Sequence, residues 1–201
     1  MLKKNYQAIW LTGQPASGKS TLAKLLVNSI SDSHNNVFNI DGDDLRDLFQ
    51  NKDYSRKGRE TNIRLGMSIA AYLINKNCIP IISLVSPYRF LREEFKSKFN
   101  VLEVYLHTTE IRGREKFFVE DYEPPEDNFI DMDTTNKNER ALLLALKNAA
   151  TLASLNDKIQ NLSNLDERFT KIENKVKINF EGIQDLTNQL ADFTTTLGNK
   201  K

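Results

Sequence analysis

The densest concentration of chemistry in the chain is Gly13-Gln14-Pro15-Ala16-Ser17-Gly18-Lys19-Ser20, which reads G-x-x-x-x-G-K-S. Such a loop wraps a polyphosphate with its backbone N–H groups, and Gly13 and Gly18 allow the tight turns this needs. Lys19 places a point charge on the β- and γ-phosphates, and Ser20 offers a hydroxyl to Mg²⁺. Thr21 follows in the first turn of a helix whose free N–H groups and positive dipole end face the same anion. Residues Gly13 to Thr21 are therefore the expected ATP-binding set.

A second group lies at Asp41-Gly42-Asp43-Asp44-Leu45-Arg46, after the strand-like run Val37-Phe38-Asn39-Ile40. Ligands of parallel α/β sheets collect at the carboxyl ends of strands. A carboxylate there, beside a phosphate loop, can hold Mg²⁺ or take a proton from an attacking hydroxyl. Asp41, at the strand tip, fits that chemistry best. Asp43 and Asp44 suit it too, and suit equally a plain helix cap. Arg59 and Asn62 are three apart on a helix, so they share a face that could meet an anionic, hydroxyl-bearing ligand. From spacing alone a solvated charged face accounts for that pair at least as well.

The elements that must position these groups are legible as alternating runs. Ala8-Ile9-Trp10-Leu11 reads as a buried strand, and Leu22, Leu25, Leu26 and Ile30 recur at helical spacing. Ile63, Met67, Ala70, Ala71 and Ile74 give a second helix, and Cys78 to Val85 a second buried strand. Phe90 to Phe99 is an amphipathic helix with Arg92 on its polar side. Val101 to Leu106 and Phe129 to Asp133 are further strands. Thr108 to Asp127, charged and aromatic with Pro124-Pro125, has the character of a lid. The alternation predicts an α/β fold of the P-loop NTPase type, a parallel sheet with helices on both faces, over residues 1–136.

Of the 201 residues, 28 are Lys or Arg and 27 Asp or Glu, so the net charge of +1 gives no whole-chain pull toward nucleic acid or acidic membrane. The start of the chain lacks an apolar signal core, and no apolar run is long enough for a bilayer, so a cytoplasmic protein is expected. Cys78 reads as a buried thiol with no disulfide partner in the chain. His34 falls in a polar loop and reads as a solvated residue.

Residues 137–201 change character: Pro is absent and apolar residues from Leu152 to Leu197 recur in threes and fours. That near-heptad spacing predicts a helical, coiled-coil-like extension. It has no partner surface in its own segment, so a homo-oligomer through this helix is expected. A long helix folding back on its own domain is the alternative.

Several blocks, in order, resemble the adenylyl-sulfate kinases: Trp10 to Ser20; Asp41-Gly42-Asp43 with Arg46; Ser55-Arg56 with Arg59, Asn62, Ile63 and Arg64; Ser86-Pro87-Tyr88-Arg89; Tyr122-Glu123-Pro124-Pro125-Glu126; and Asp133-Thr134. The resemblance covers residues 6–135. It implies transfer of the γ-phosphate of ATP, with Mg²⁺, to the ribose 3′-hydroxyl of adenylyl sulfate. It implies Lys19, Asp41 and Ser86 as catalytic residues, Asp41 being the base, and Ser20 and Asp41 as metal ligands. Ser86 matches a serine assigned in the family as a phosphoserine intermediate, although direct in-line transfer needs no covalent species. The implied acceptor-binding set is Asp43, Arg46, Arg59, Asn62, Ser86, Pro87, Tyr88 and Arg89. Lys116 or Arg114 would supply a lid cation.

The chain departs from the family pattern in its lid, where Ile111 to Asp121 replaces a longer Lys-rich segment. The short form resembles kinase-like proteins of bacterial capsule clusters. There the implied acceptor is a cytidine diphosphoramidate and the chemistry is the same. A third reading, a nucleotide-binding scaffold assembled through its coiled coil, would leave the Asp41 and arginine set without a purpose.

Overall fold

The computed structural model describes residues 6–31, 36–138, 141–146, 148, 168, 170–172 and 174–175. Five parallel strands, β1 (Ala8–Thr12), β2 (Val37–Asp41), β3 (Ile79–Ser83), β4 (Val101–His107) and β5 (Phe129–Asp133), form one sheet in the order β2-β3-β1-β4-β5. The helices between the strands are α1 (Lys19–Ser31), α2 (Gly42–Leu48), α3 (Arg56–Asn75) and α4 (Arg89–Lys96), and residues 141–146 after β5 are helical too. A single 3₁₀ turn spans Glu115–Phe117.

Strand alternation sorts the side chains into two cores. Ile9 and Leu11 of β1 join Leu22, Ala23 and Leu26 of α1, with Ile81, Val104, Leu106 and Ile130. Ala8 and Trp10 point the other way, to Leu45 of α2, Ile63, Met67, Ala70 and Ile74 of α3, and Leu91 and Phe95 of α4. Both faces are covered, which is why β1 reads as an unbroken apolar run rather than an alternating one. The 4-3-4 spacing of the buried α3 residues is the apolar stripe expected of it.

Compact packing does not stop at residue 136. The first compact unit runs from Met1 to Leu152, and Leu142 and Leu146 are buried in the α1-side core. The second unit is Ala153–Lys201. Of the near-heptad seam, Ile172 alone is described, and it is exposed; the coiled coil and its proposed self-association otherwise lie outside the described residues, as does His34. Among the described residues no helix is long and apolar enough to cross a membrane. Cys78 precedes β3 and is half-buried, its Sγ 3.7 Å from the Lys76 carbonyl, rather than fully enclosed.

Candidate active site

The carboxyl ends of β1, β2 and β3 open into one cleft of about 700 Å³. Its floor is the loop between β1 and α1. Gly13 has φ +144°, and a Cβ built there would lie 2.1 Å from the Leu106 carbonyl oxygen, so only glycine lets the loop pass over β4. Lys19 opens α1 and its ammonium folds back onto the loop, donating to the carbonyls of Gly13 (2.9 Å) and Gln14 (2.8 Å). Burial lowers its pKa from 10.5 to about 8, against the smaller raising effects of Asp41 and Asp43.

Asp41 ends β2 and is held by three bonds. Its Oδ2 accepts from the Ser20 hydroxyl at 2.7 Å and from the Ser83 hydroxyl at 3.1 Å. Its Oδ1 accepts from the Asp43 amide, which makes Asp41 itself the N-cap of α2. Capping thus falls to Asp41, while Asp43 and Asp44 sit in the first helical turn. The parallel register that pairs Asp41 with Ser83 sets this geometry. Ser20 and Asp41 offer a hydroxyl and a carboxylate in contact, hard oxygen donors of the kind Mg²⁺ takes when phosphate and water complete its shell. Among the described residues no cluster of three His, Cys, Asp or Glu side chains forms a self-sufficient metal cage.

The opposite wall is cationic. Arg46 is buried, its Nη1 donating to the carbonyls of Asn51 and Asp53 and its guanidinium lying 4.2 Å from the Tyr54 ring centroid. Burial lowers its pKa below the ordinary arginine value. Gly58 makes that arrangement possible: a Cβ there would come within 2.2 Å of the Asp53 carbonyl oxygen. Arg59 Nε donates to the Tyr54 carbonyl. Asn62 donates to the Gly42 carbonyl, and its buried Oδ1 lacks a hydrogen-bond partner. Arg59 and Asn62 share one face, as the spacing implies, and both line the cleft rather than standing in solvent.

The family model described as Adenylylsulphate kinase matches residues 5–116, more than half of the chain. The chain belongs to the adenylylsulphate kinase family. It is 36% identical over 101 residues to a probable adenylyl-sulfate kinase of Pyrococcus abyssi, covering 49% of this chain and 58% of that one. A probable adenylyl-sulfate kinase of Archaeoglobus fulgidus is 32% identical over 152 residues, covering 66% of this chain and 97% of that one. The chain spans little more than half the length of several relatives, 53% for the adenylyl-sulfate kinase of Pseudomonas aeruginosa. The Mycobacterium tuberculosis APS kinase CysC, solved with AMPPNP and APS, shares the fold, with a TM-score of 0.59, 18% identity, and coverage of 75% of this chain and 96% of that one.

Within this adenylylsulphate kinase fold the expected residues divide. Pro15, Ala16, Gly18, Lys19, Ser20, Thr21, Asp41, Asp43, Arg46, Arg59, Asn62, Ser86 and Pro87 all line the cleft. Tyr88 and Arg89 do not: Tyr88 is buried in the α3/α4 core, and Arg89 Nε donates to the Pro124 carbonyl while its guanidinium pairs with Glu126. Lys116 is exposed and turned onto the Phe117 ring, whereas Arg112, Arg114 and Phe117 are the lid residues lining the cleft. The 3₁₀ turn explains the exchange, since three residues per turn aim neighbours in different directions. Ser86, at φ +44°, is buried, and its hydroxyl accepts from Trp10 Nε1 at 3.1 Å.

Two site residues, Arg112 and Tyr54, have no motif to reveal them, and Gln14, inside the loop motif, makes contacts that the motif does not announce. Arg112 donates to the Ala16 carbonyl (2.9 Å) and to the Thr134 carbonyl (3.0 Å), tying the lid to the phosphate loop. Gln14 pairs its amide with the backbone N–H and carbonyl of Val119, both at 2.9 Å. Tyr54 stands 54% exposed at the cleft mouth.

The lowered pKa of Lys19 has a measurable consequence. A bound polyphosphate favours the ammonium form and raises that pKa, so between about pH 8 and the raised value binding takes up a proton. Affinity is then full below about pH 8 and falls by up to roughly tenfold per unit above it. Calorimetry with MgATP in buffers of different ionisation enthalpy is expected to give uptake of about one proton at about pH 9 and almost none at about pH 6.5. A buffer-independent enthalpy at the higher pH would contradict this.

Proposed function

We propose that the protein transfers the γ-phosphate of ATP to the ribose 3′-hydroxyl of adenylyl sulfate. The observation that carries the reading is that one cleft unites the phosphate loop, the Asp41 carboxylate and the Arg46, Arg59 and Asn62 wall. Donor and acceptor phosphates are both anionic, and the two ends of the cleft are each built for an anion.

In this reading the loop amides and Lys19 hold the β- and γ-phosphates and neutralise charge developing on the transferred group. Mg²⁺, held by the Ser20 hydroxyl and Asp41, would supply further neutralisation of the phosphate oxygens. Asp41 orients the acceptor hydroxyl and receives its proton as the new P–O bond forms. Arg46 and Arg59 bind the acceptor's anionic part, and the unpartnered Asn62 Oδ1 accepts from a donor on the same nucleotide. Arg114, 4.0 Å from Asp43, serves as the lid cation in place of Lys116. Ser86 lines the acceptor wall; its hydroxyl, already engaged by Trp10, fits positioning better than a phosphoserine intermediate.

The named relatives, all adenylyl-sulfate kinases, favour the sulfated nucleotide over cytidine diphosphoramidate. The test is ADP release from MgATP with each acceptor in turn. Adenylyl sulfate is expected to drive turnover, and failure to do so would refute the assignment. Arg59→Ala is expected to raise the acceptor KM by about tenfold or more, as loss of a charge-assisted contact implies, with the KM for ATP little changed. An unchanged acceptor KM would remove Arg59 from the site.

A further inference from the structure

The mechanism leaves a fully buried arginine unused. Arg92 of α4 is 0% exposed, on the buried side of its helix rather than the polar one, and it pairs with the equally buried Glu103 of β4 at 2.8 Å. Its other donors serve two distant loops: Nη1 reaches the Ser86 carbonyl and Nη2 the Glu123 carbonyl, each at 2.6 Å.

We propose that Arg92 is a positioning residue, which ties the acceptor wall at Ser86–Pro87 to the return of the lid at Tyr122–Glu123. This rests on the kinase reading above for its consequence in turnover, but not for its geometry.

The two segments form a closed circuit around Arg92. The Glu123 amide donates to the Pro87 carbonyl at 2.8 Å, and the Glu123 carboxylate accepts from the Arg89 amide at 2.7 Å, capping the helix that carries Arg92. The Tyr122 hydroxyl meets Thr12 Oγ1 at 2.7 Å, directly before the phosphate loop, and Thr12 Oγ1 also donates to the Val85 carbonyl at 2.9 Å. Ser86 holds a left-handed backbone conformation that a serine keeps only where its surroundings impose it. The Arg92 bond to its carbonyl, at 2.6 Å and charge-assisted, is shorter than the bonds Ser86 receives from Trp10 (3.1 Å) and Thr12 (3.4 Å).

Stability alone does not account for this arginine. A buried ion pair is often no better for folding than apolar packing of the same shape. Glu103 also has a second cation, Lys96, at 2.6 Å, so its charge is not orphaned if Arg92 changes. What lysine cannot reproduce is the planar fork that satisfies three acceptors in three directions.

The test is Arg92→Lys in the full chain, read first by amide hydrogen exchange. Exchange at the Arg89 and Glu123 amides, whose bonds close the circuit, is expected to rise about tenfold or more, while residues 19–25 of α1 stay as in the wild type. The acceptor KM is expected to rise by about tenfold or more with MgATP affinity within about twofold. Unchanged exchange, or a uniform rise across the chain, would overturn the proposal. Should Arg92→Lys not fold, Tyr122→Phe removes one link of the circuit while keeping the ring; it is expected to speed exchange at the Glu123 amide selectively, and unaltered exchange there would also overturn the proposal. The exchange readout needs no turnover. A wild-type protein inert toward adenylyl sulfate would therefore count against the kinase reading, and exchange would still decide this one.

Discussion

Lys19→Met is expected to lower turnover by about three orders of magnitude or more while leaving the fold intact, because in the proposed transfer Lys19 acts on charge that develops in the transition state. The two effects of the substitution can be weighed separately. In the folded chain the ammonium is buried and its pKa pulled down to about 8, so at neutral pH its charge is held at a cost to stability. Methionine removes that cost and keeps most of the stem volume. The Gly13 and Gln14 carbonyls lose a donor, which offsets part of that gain. Net stability should therefore change little, and thermal unfolding should stay within a few degrees of the wild type (about 1 kcal/mol). Catalysis has no such compensation: about 4 kcal/mol of electrostatic stabilisation of the transferring phosphoryl group disappears. Turnover with a saturating acceptor, measured beside a melting curve, checks both halves. Near-normal turnover would mean that the loop does not bind the transferring phosphate. The pH-linked proton uptake described above should vanish in the same variant.

The parts of this design that were legible in the chain are those with local physical signatures. The phosphate loop is contiguous, and its flanking strand and helix follow from a short apolar run and a three-four spacing. Asp41 was legible because strand ends are where parallel sheets hold ligands. Arg92 shows where local reading fails. Its helix is amphipathic, and an arginine there reads as solvent-facing until one knows what lies opposite. The missing signal was present in Glu103, a carboxylate inside the apolar run Val101 to Leu106. A charge in a strand covered on both faces demands a buried cation. Arg112 offered no comparable hint, since the carbonyls by which it ties the lid to the loop are brought close only by the fold, and the motif that contains Gln14 does not foretell its bonds to Val119. Lys116 failed for a smaller reason: a single 3₁₀ turn decides which of its neighbours faces the cleft, and composition does not encode that turn.

Asp41→Asn separates chemistry from architecture at the second decisive position. The carboxylate has two occupations, capping α2 through the Asp43 amide and facing the cleft with Ser20. Asparagine caps a helix as well as aspartate does, so α2 and the melting temperature should be preserved. The change removes the negative charge, and with it both the proposed proton acceptor and the proposed metal ligand. A general base contributes roughly 10²–10⁴-fold. Loss of the metal-facing carboxylate adds to this, so turnover is expected to fall by about 10³-fold or more. The Mg²⁺ concentration for half-maximal rate should rise as well, because the Ser20 hydroxyl alone remains to the cation. Neutral amide for carboxylate also withdraws one of the groups that raise the Lys19 pKa, so proton uptake on nucleotide binding should begin at lower pH. These outcomes come from one substitution and pull apart cleanly. A variant that melts early has lost a cap. One that melts normally, binds MgATP and turns over like the wild type would place the acceptor hydroxyl away from Asp41, and with it the whole geometry of transfer proposed for this cleft.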